Sequence, residues 1–213
     1  MNHLLNLVAP PALPLARDDY DRPYQDQLNN ILRLYFTQLS ATLNSLVGDT
    51  GGRFLQTPYA AIQRTTDKTF TANTATQITF DQNDYLNGCA NDGTDGIAVT
   101  YNGLYNYQFS VQLKNTDSQI HSAWIWLRVN NVDVPGTGSK FDVISSHGGT
   151  PGYIIAACNF YVDLVAGDTV EMWAAVNNVA VSFEAEAAQT SPFPMPAIPS
   201  VVATLSFVSS YEA

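Results

Sequence analysis

Tyr105-Asn106-Tyr107-Gln108-Phe109-Ser110-Val111-Gln112-Leu113 places an apolar side chain at every odd position and a polar one at every even position. Successive side chains of a β-strand leave on opposite faces, so a period of two predicts a strand with one face buried and one wet. Val179, Val181, Phe183, Ala185 and Ala187 alternate with Ser182, Glu184 and Glu186 in the same way. Further strands are predicted at 77–80, 97–101, 123–129, 153–164, 169–176 and 201–208. Asn130-Asn131, Gly136-Thr137-Gly138, Gly148-Gly149, Gly167-Asp168 and Asn177-Asn178 separate them as turns. The pattern predicts an all-β sandwich.

Two of these strands break the alternation. In 123–129, Ile125, Leu127 and Val129 share one face while Trp124 and Trp126 occupy the other. In 153–164, Ile154, Ala156, Cys158, Phe160, Val162 and Leu164 share one face, and Tyr153, Ile155 and Tyr161 lie opposite. A lone sandwich would expose apolar patches there of the kind that mark association sites. The expectation is a homo-oligomer, with Trp124 and Trp126 at the contact between copies.

Upstream the period changes. Leu28, Ile31, Leu32, Tyr35, Phe36, Leu39, Leu43 and Leu46 fall within an arc of about 160° at helical spacing. Asp18, Asp19 and Asp21 followed by Arg22-Pro23 suit a helix start, and Gly48 suits its end. Leu32, Phe36, Leu39, Leu43 and Leu46 are spaced alternately by four and three, as coiled-coil core positions are. They predict a short helical bundle between identical chains. Asp49-Thr50-Gly51-Gly52 then breaks the chain before the strands begin.

Ahead of the helix, Leu4, Leu5, Leu7 and Val8 are followed by Pro10, Pro11, Leu13 and Pro14, an apolar segment that prolines hold extended. No Lys or Arg precedes it, so it reads as a retained anchoring arm and not as a secretion signal. The expected organisation is an arm over 1–19, an oligomerising helix with its linker over 20–57 and a β domain over 58–213.

Of 213 residues, 46% are hydrophobic and 13% charged, which excludes disorder of the charged, aromatic-poor kind. A net charge of -10 is a poor footprint for phosphates, so neither nucleic acid nor membrane insertion is expected. No apolar run approaches the roughly 20 residues of a spanning helix.

The chemistry-bearing residues do not assemble into a reactive motif. His3, His121 and His147 show no metal-ligand spacing, and no metal or cofactor is expected. Ser145-Ser146-His147-Gly148-Gly149 has no nucleophile elbow around it and reads as a polar loop. Asn91-Asp92-Gly93-Thr94-Asp95-Gly96 lacks the later bidentate Glu of a calcium loop and reads as a solvated turn. Glu184 and Glu186 stand about 7 Å apart on one strand face, the wet side of the alternation. Cys89 beside Gly88 and Cys158 on an apolar face are expected to stay unbonded. No enzyme is expected.

Gly103-Leu104-Tyr105-Asn106-Tyr107-Gln108-Phe109-Ser110, then Trp124-Ile125-Trp126-Leu127-Arg128-Val129-Asn130-Asn131, then Leu164-Val165-Ala166-Gly167-Asp168-Thr169-Val170, resembles the tumour-necrosis-factor-like jelly roll of complement globular heads. The resemblance spans about residues 58 to 208. It implies a ten-stranded, trimeric antiparallel jelly-roll sandwich with aromatic residues at the three-fold contact. Arg22-Pro23-Tyr24-Gln25-Asp26-Gln27-Leu28-Asn29-Asn30-Ile31-Leu32-Arg33-Leu34-Tyr35-Phe36, set ahead of such a domain, is similar to virion structural proteins of tailed bacteriophages. The chain lacks the collagen-like repeats of secreted animal relatives. Together the two likenesses imply a trimeric virion protein, assembled in the host cytoplasm and held to other capsid or tail proteins by its arm. A head decoration protein or head fibre is the first expectation. A tail fibre, tail spike or tip binding a host-surface glycan is the second.

Overall fold

The computed structural model describes residues 11–13, 15, 19–47, 57–91 and 96–210. The chain divides into two compact units, Met1–Leu55 with Ser210–Ala213, and Gln56–Ser209. In the first unit α1 runs Arg22–Val47. Pro23 falls in its first turn, where a missing N–H removes no ladder bond, and the Gln25 amide donates to the Asp21 carbonyl at 3.0 Å.

In the second unit the strands are β1 (Tyr59–Arg64), β2 (Thr76–Ile78), β3 (Gln82–Asn87), β4 (Cys89–Ala90), β5 (Ile97–Val99), β6 (Gly103–Asn115) and β7 (His121–Val129). They continue as β8 (Val132–Asp133), β9 (Ser139–Val143), β10 (Gly152–Leu164), β11 (Thr169–Val176), β12 (Val181–Phe183) and β13 (Val201–Ser209). The first sheet has the order β10-β6-β13-β1-β3, with β12 also on β6. The second has the order β4-β5-β11-β7-β8, with β2 on β11 and β9 on β7. All these pairs are antiparallel. The fold is mainly β, an antiparallel jelly-roll sandwich with one amphipathic helix before it. The resemblance implies ten strands and the described residues hold thirteen, because β2, β4, β5, β8 and β12 are pieces of two or three residues.

The core lies between the sheets. Tyr105, Tyr107, Phe109, Val111 and Leu113 of β6 are each at most 3% exposed, as their odd positions predict. Ile125 and Leu127 from β7 and Met172, Ala174 and Val176 from β11 are buried in the same cluster. Each large side chain taken fully out of water here contributes about 1.5–3 kcal/mol. Phe183 meets Phe70 edge to face, with ring centroids 4.8 Å apart.

Turn chemistry follows the sequence at the tip of the second sheet. Asn130 and Asn131 have φ of 50° and 66°, which asparagine tolerates better than most residues and which a two-residue hairpin requires. Val129 and Val132 close that hairpin as partners.

The predicted strand at 179–187 is shorter in the structure. Val181, Ser182 and Phe183 pair with Asn115, Lys114 and Leu113 of β6, but from Val111 onward the same edge of β6 is taken by β13, starting at Val201. Two strands share one edge end to end, so β12 has to leave. Glu184 and Glu186 therefore do not share a strand face. Glu184 forms an ion pair with Lys114 and is only 18% exposed, while Glu186 bridges to Ile198. Cys89 lies in β4 and not in a loop. Both cysteines are unbonded, and burial pushes the Cys89 thiol up to about 11.

Candidate functional site

The polar groups that could support chemistry are engaged in holding turns. The Asp117 carboxylate accepts a hydrogen bond from His121 Nε2 at 2.7 Å and another from Ser118 N at 2.6 Å. These bonds hold the Asp117 carboxyl below the usual carboxylate range. Ser122 Oγ donates to Asp142 at 2.6 Å. His147 and Thr150 bridge a turn through backbone atoms, with Gly148 and Gly149 at positive φ. Among the described residues no three of His, Cys, Asp and Glu come together as a metal-ligand group. Residues 92–95 of the Asn91-to-Gly96 stretch, His3 and the 48–52 break lie outside the described residues.

What the structure offers instead is surface. The first surface is the α1 ridge. Leu32 and Leu39 are half-buried, while Phe36, Leu43 and Leu46 are exposed, Phe36 to 57%. Of the predicted anchoring residues, Leu4, Leu5, Leu7, Val8 and Pro10 lie outside the described residues. Pro11 is half-buried and Leu13 is exposed.

The second surface is the outer face of the first sheet. Tyr153, Ile155, Ala157, Asn159, Tyr161 and Asp163 of β10 stand opposite Lys114, Gln112, Ser110, Gln108, Asn106 and Leu104 of β6. Val202, Thr204 and Ser206 of β13 extend the rows beyond Ser110, Gln108 and Asn106, and Tyr59 and Ala61 of β1 extend them further. Ile155 and Tyr161 are each 65% exposed, and Tyr59, Tyr85 and Tyr153 are exposed too. At the centre Gln108, Ser110, Ala157, Asn159, Val202 and Thr204 line a shallow depression of about 540 Å3. The side chains of Gln108, Ser110, Gln112, Asn159 and Thr204 make no hydrogen bond among the described residues, and the Asn106 side-chain oxygen is covered yet unpaired. The β6 and β10 rows carry charge only at their ends, on Lys114 and Asp163.

The third surface is the outer face of the second sheet, and it is organised differently. Trp126 Nε1 donates to Asp133 at 2.7 Å. Arg128 Nε donates to the same oxygen at 2.6 Å, and these bonds hold the Asp133 carboxyl below the usual range. The Arg128 guanidinium carbon lies 3.9 Å from the Trp173 ring centroid and 5.9 Å from that of Trp126. Trp173 Nε1 donates to Glu171 at 2.7 Å, and Glu171, only 2% exposed, also accepts from Asn131 N at 2.9 Å. Trp126, expected to seek a partner in another copy, has polar and stacking partners within its own chain. Trp124 remains 37% exposed.

Sequence reasoning placed Tyr153, Ile155 and Tyr161 on an open face and the structure does the same. It missed Trp173, Arg128, Asp133 and Glu171. Trp173 lies in a strand that was predicted, at the alternate positions Thr169, Glu171, Trp173 and Ala175. The missing information was the neighbour: only pairing with β7 brings those positions beside Trp124 and Trp126.

No protein-family model and no curated protein matches the sequence. Among solved structures, the globular domain of a zebrafish complement 1qA protein is similar, at 11% identity and a TM-score of 0.42, over 73% of this chain and 100% of that one. That likeness assigns no role to any residue here. No helix among the described residues is long and apolar enough to cross a membrane.

Proposed function

We propose that this chain is a non-enzymatic structural protein of a tailed-bacteriophage virion, working as a homotrimer. The α1 ridges of three copies meet, the outer face of the first sheet is shared between copies, and the N-terminal arm holds the assembly to the particle as a head decoration protein or head fibre. The observation that carries the reading is the first-sheet face. Strands of 13, 13, 9 and 6 residues at ~3.3 Å per residue and ~4.8 Å between strands make a face on the order of 650 Å2, close to the ~800 Å2 that each partner buries in a stable interface. Its unpaired amides and hydroxyls stand ready for partners that its own chain does not provide. A chain of net charge -10 approaches its own copies best through a face whose β6 and β10 rows carry no carboxylate between their ends.

The virion assignment rests on the likeness of the Arg22-to-Phe36 block to phage structural proteins. Light scattering at micromolar concentration should give three times the chain mass; a monomer overturns the assembly. Ala157→Arg at the centre of the face should yield a folded but smaller species. Removing residues 1–19 should abolish binding to purified capsids and leave tails indifferent. The reverse result identifies a tail fibre or spike.

A further inference from the structure

The tryptophans of this chain number three, and adjacent strands bring them together. On the outer face of the second sheet Trp173 is the direct partner of Trp126, and Ala175 is the direct partner of Trp124. Three corners of a four-residue block are therefore indoles and the fourth is a methyl group. Side chains on one sheet face stand side by side, so Ala175 forms the floor of a notch walled by aromatic rings.

The walls are fixed in place. The Trp126 and Trp173 N–H groups are tied to Asp133 and Glu171, and the Arg128 guanidinium covers one side of the Trp173 ring. Such a site loses little side-chain entropy when it is filled. The third indole differs: the Trp124 N–H has no acceptor among the described residues. Polar groups form the rim, with Lys140 opposite Trp124, Asp142 bonded to Lys140 at 3.0 Å, and Gln77 opposite Trp173.

Size and charge decide the occupant. Two rows on two strands cover on the order of 100 Å2, far below the ~800 Å2 each side of a protein interface needs. The cations beside the notch already have carboxylate partners, Arg128 in Asp133 and Lys140 in Asp142, so it offers no uncompensated charge to an ion. The notch opens to water, which disfavours a wholly apolar ligand. A pyranose ring has one apolar C–H face to lay on indole and a rim of hydroxyls to meet polar groups. We propose that the notch floored by Ala175 and walled by Trp124, Trp126 and Trp173 binds a saccharide ring.

The site lies within one chain, so it stands or falls separately from the trimer. The test is the full chain on an array of gluco-, galacto- and N-acetylhexosamine oligosaccharides, followed by fluorescence titration with the free oligosaccharide that binds best. Every tryptophan reports on this face, so saturable emission change and protection from acrylamide quenching are expected. Ala175→Phe, which fills the notch, and Trp124→Ala should each weaken binding at least tenfold, and Tyr161→Ala on the other sheet should change it less than twofold. An array with no signal, binding without quenching protection, or a loss confined to Tyr161→Ala overturns the proposal. Mass by light scattering on the same sample separates the readings: a monomer that binds sugar removes the trimer alone, and a trimer that binds none removes the notch alone.

Discussion

Tyr105 and Tyr107 stand two residues apart in β6, both fully buried, and differ in a single bond. The Tyr105 hydroxyl donates to the Tyr101 carbonyl at 2.8 Å, whereas the Tyr107 hydroxyl has no partner among the described residues; burial raises both phenols above their ordinary pKa. A satisfied buried bond contributes about 1 kcal/mol and an unsatisfied hydroxyl costs a comparable amount. Tyr105→Phe should therefore lower the unfolding free energy by about 1 kcal/mol, while Tyr107→Phe should leave it unchanged or raise it, read as a shift of the urea midpoint at constant slope. Asp133 permits a second prediction. Its folded pKa is depressed by bonds from Arg128 and Trp126, so the stability it adds is complete above its ordinary unfolded value, near about 3.9. As pH falls below that value and through the lowered folded one, the contribution disappears and the Trp126 N–H loses a charged acceptor. Tryptophan emission should change in that acid window, and Asp133→Asn should remove the step.

At the scale of elements, the α1 ridge and the sandwich make opposite demands. A helix of 26 residues gains little from intrinsic propensity alone and depends on packing its apolar side. Leu39→Asp with Leu43→Asp should leave the cooperative unfolding of the sandwich in place and shift light scattering toward smaller species. Legibility in the sequence divides along the same lines. β6 was readable because it buries one face, and a period of two is the direct trace of that; β7 and β11 were readable as apolar runs of strand length bounded by turn residues. Asn130-Asn131 was readable because few residues other than glycine accept positive φ. β3 was not readable: Gln82–Asn87 has one side on β1, no strand partner on the other among the described residues, and no buried residue. The premature end of β12 was hidden because it is decided by competition with β13, more than a dozen residues downstream, for one edge of β6. The partners of Trp124 and Trp126 on β11 were hidden for a similar reason, since pairing between distant strands has no local signature.

For the whole molecule, nineteen acidic groups against nine basic ones set a repulsion that any assembly of identical copies must overcome. Screening shortens the reach of that repulsion from about 30 Å at 0.01 M salt to about 8 Å at 0.15 M. Association should therefore strengthen as salt rises across that range, seen as a lower concentration for half-assembly in light scattering; the opposite trend would indicate a contact built on ion pairs. The two outer faces then take different roles in the proposed particle. The first-sheet face, poor in charge and unpaired, is covered by neighbouring copies, and the tryptophan face, whose polar groups are largely settled within the chain, is left open to the medium.

β13 lies between β6 and β1 in the middle of the first sheet, although it is the last of the described strands. Until residues 201–209 emerge from the ribosome, β1 with β3 and β6 with β10 are separate fragments with open edges on either side of a missing wedge. Synthesis must therefore have passed residue 209 before this domain can close, and a nascent chain stalled before Val201 offers chaperones and proteases two unpaired strand edges instead of a closed sheet.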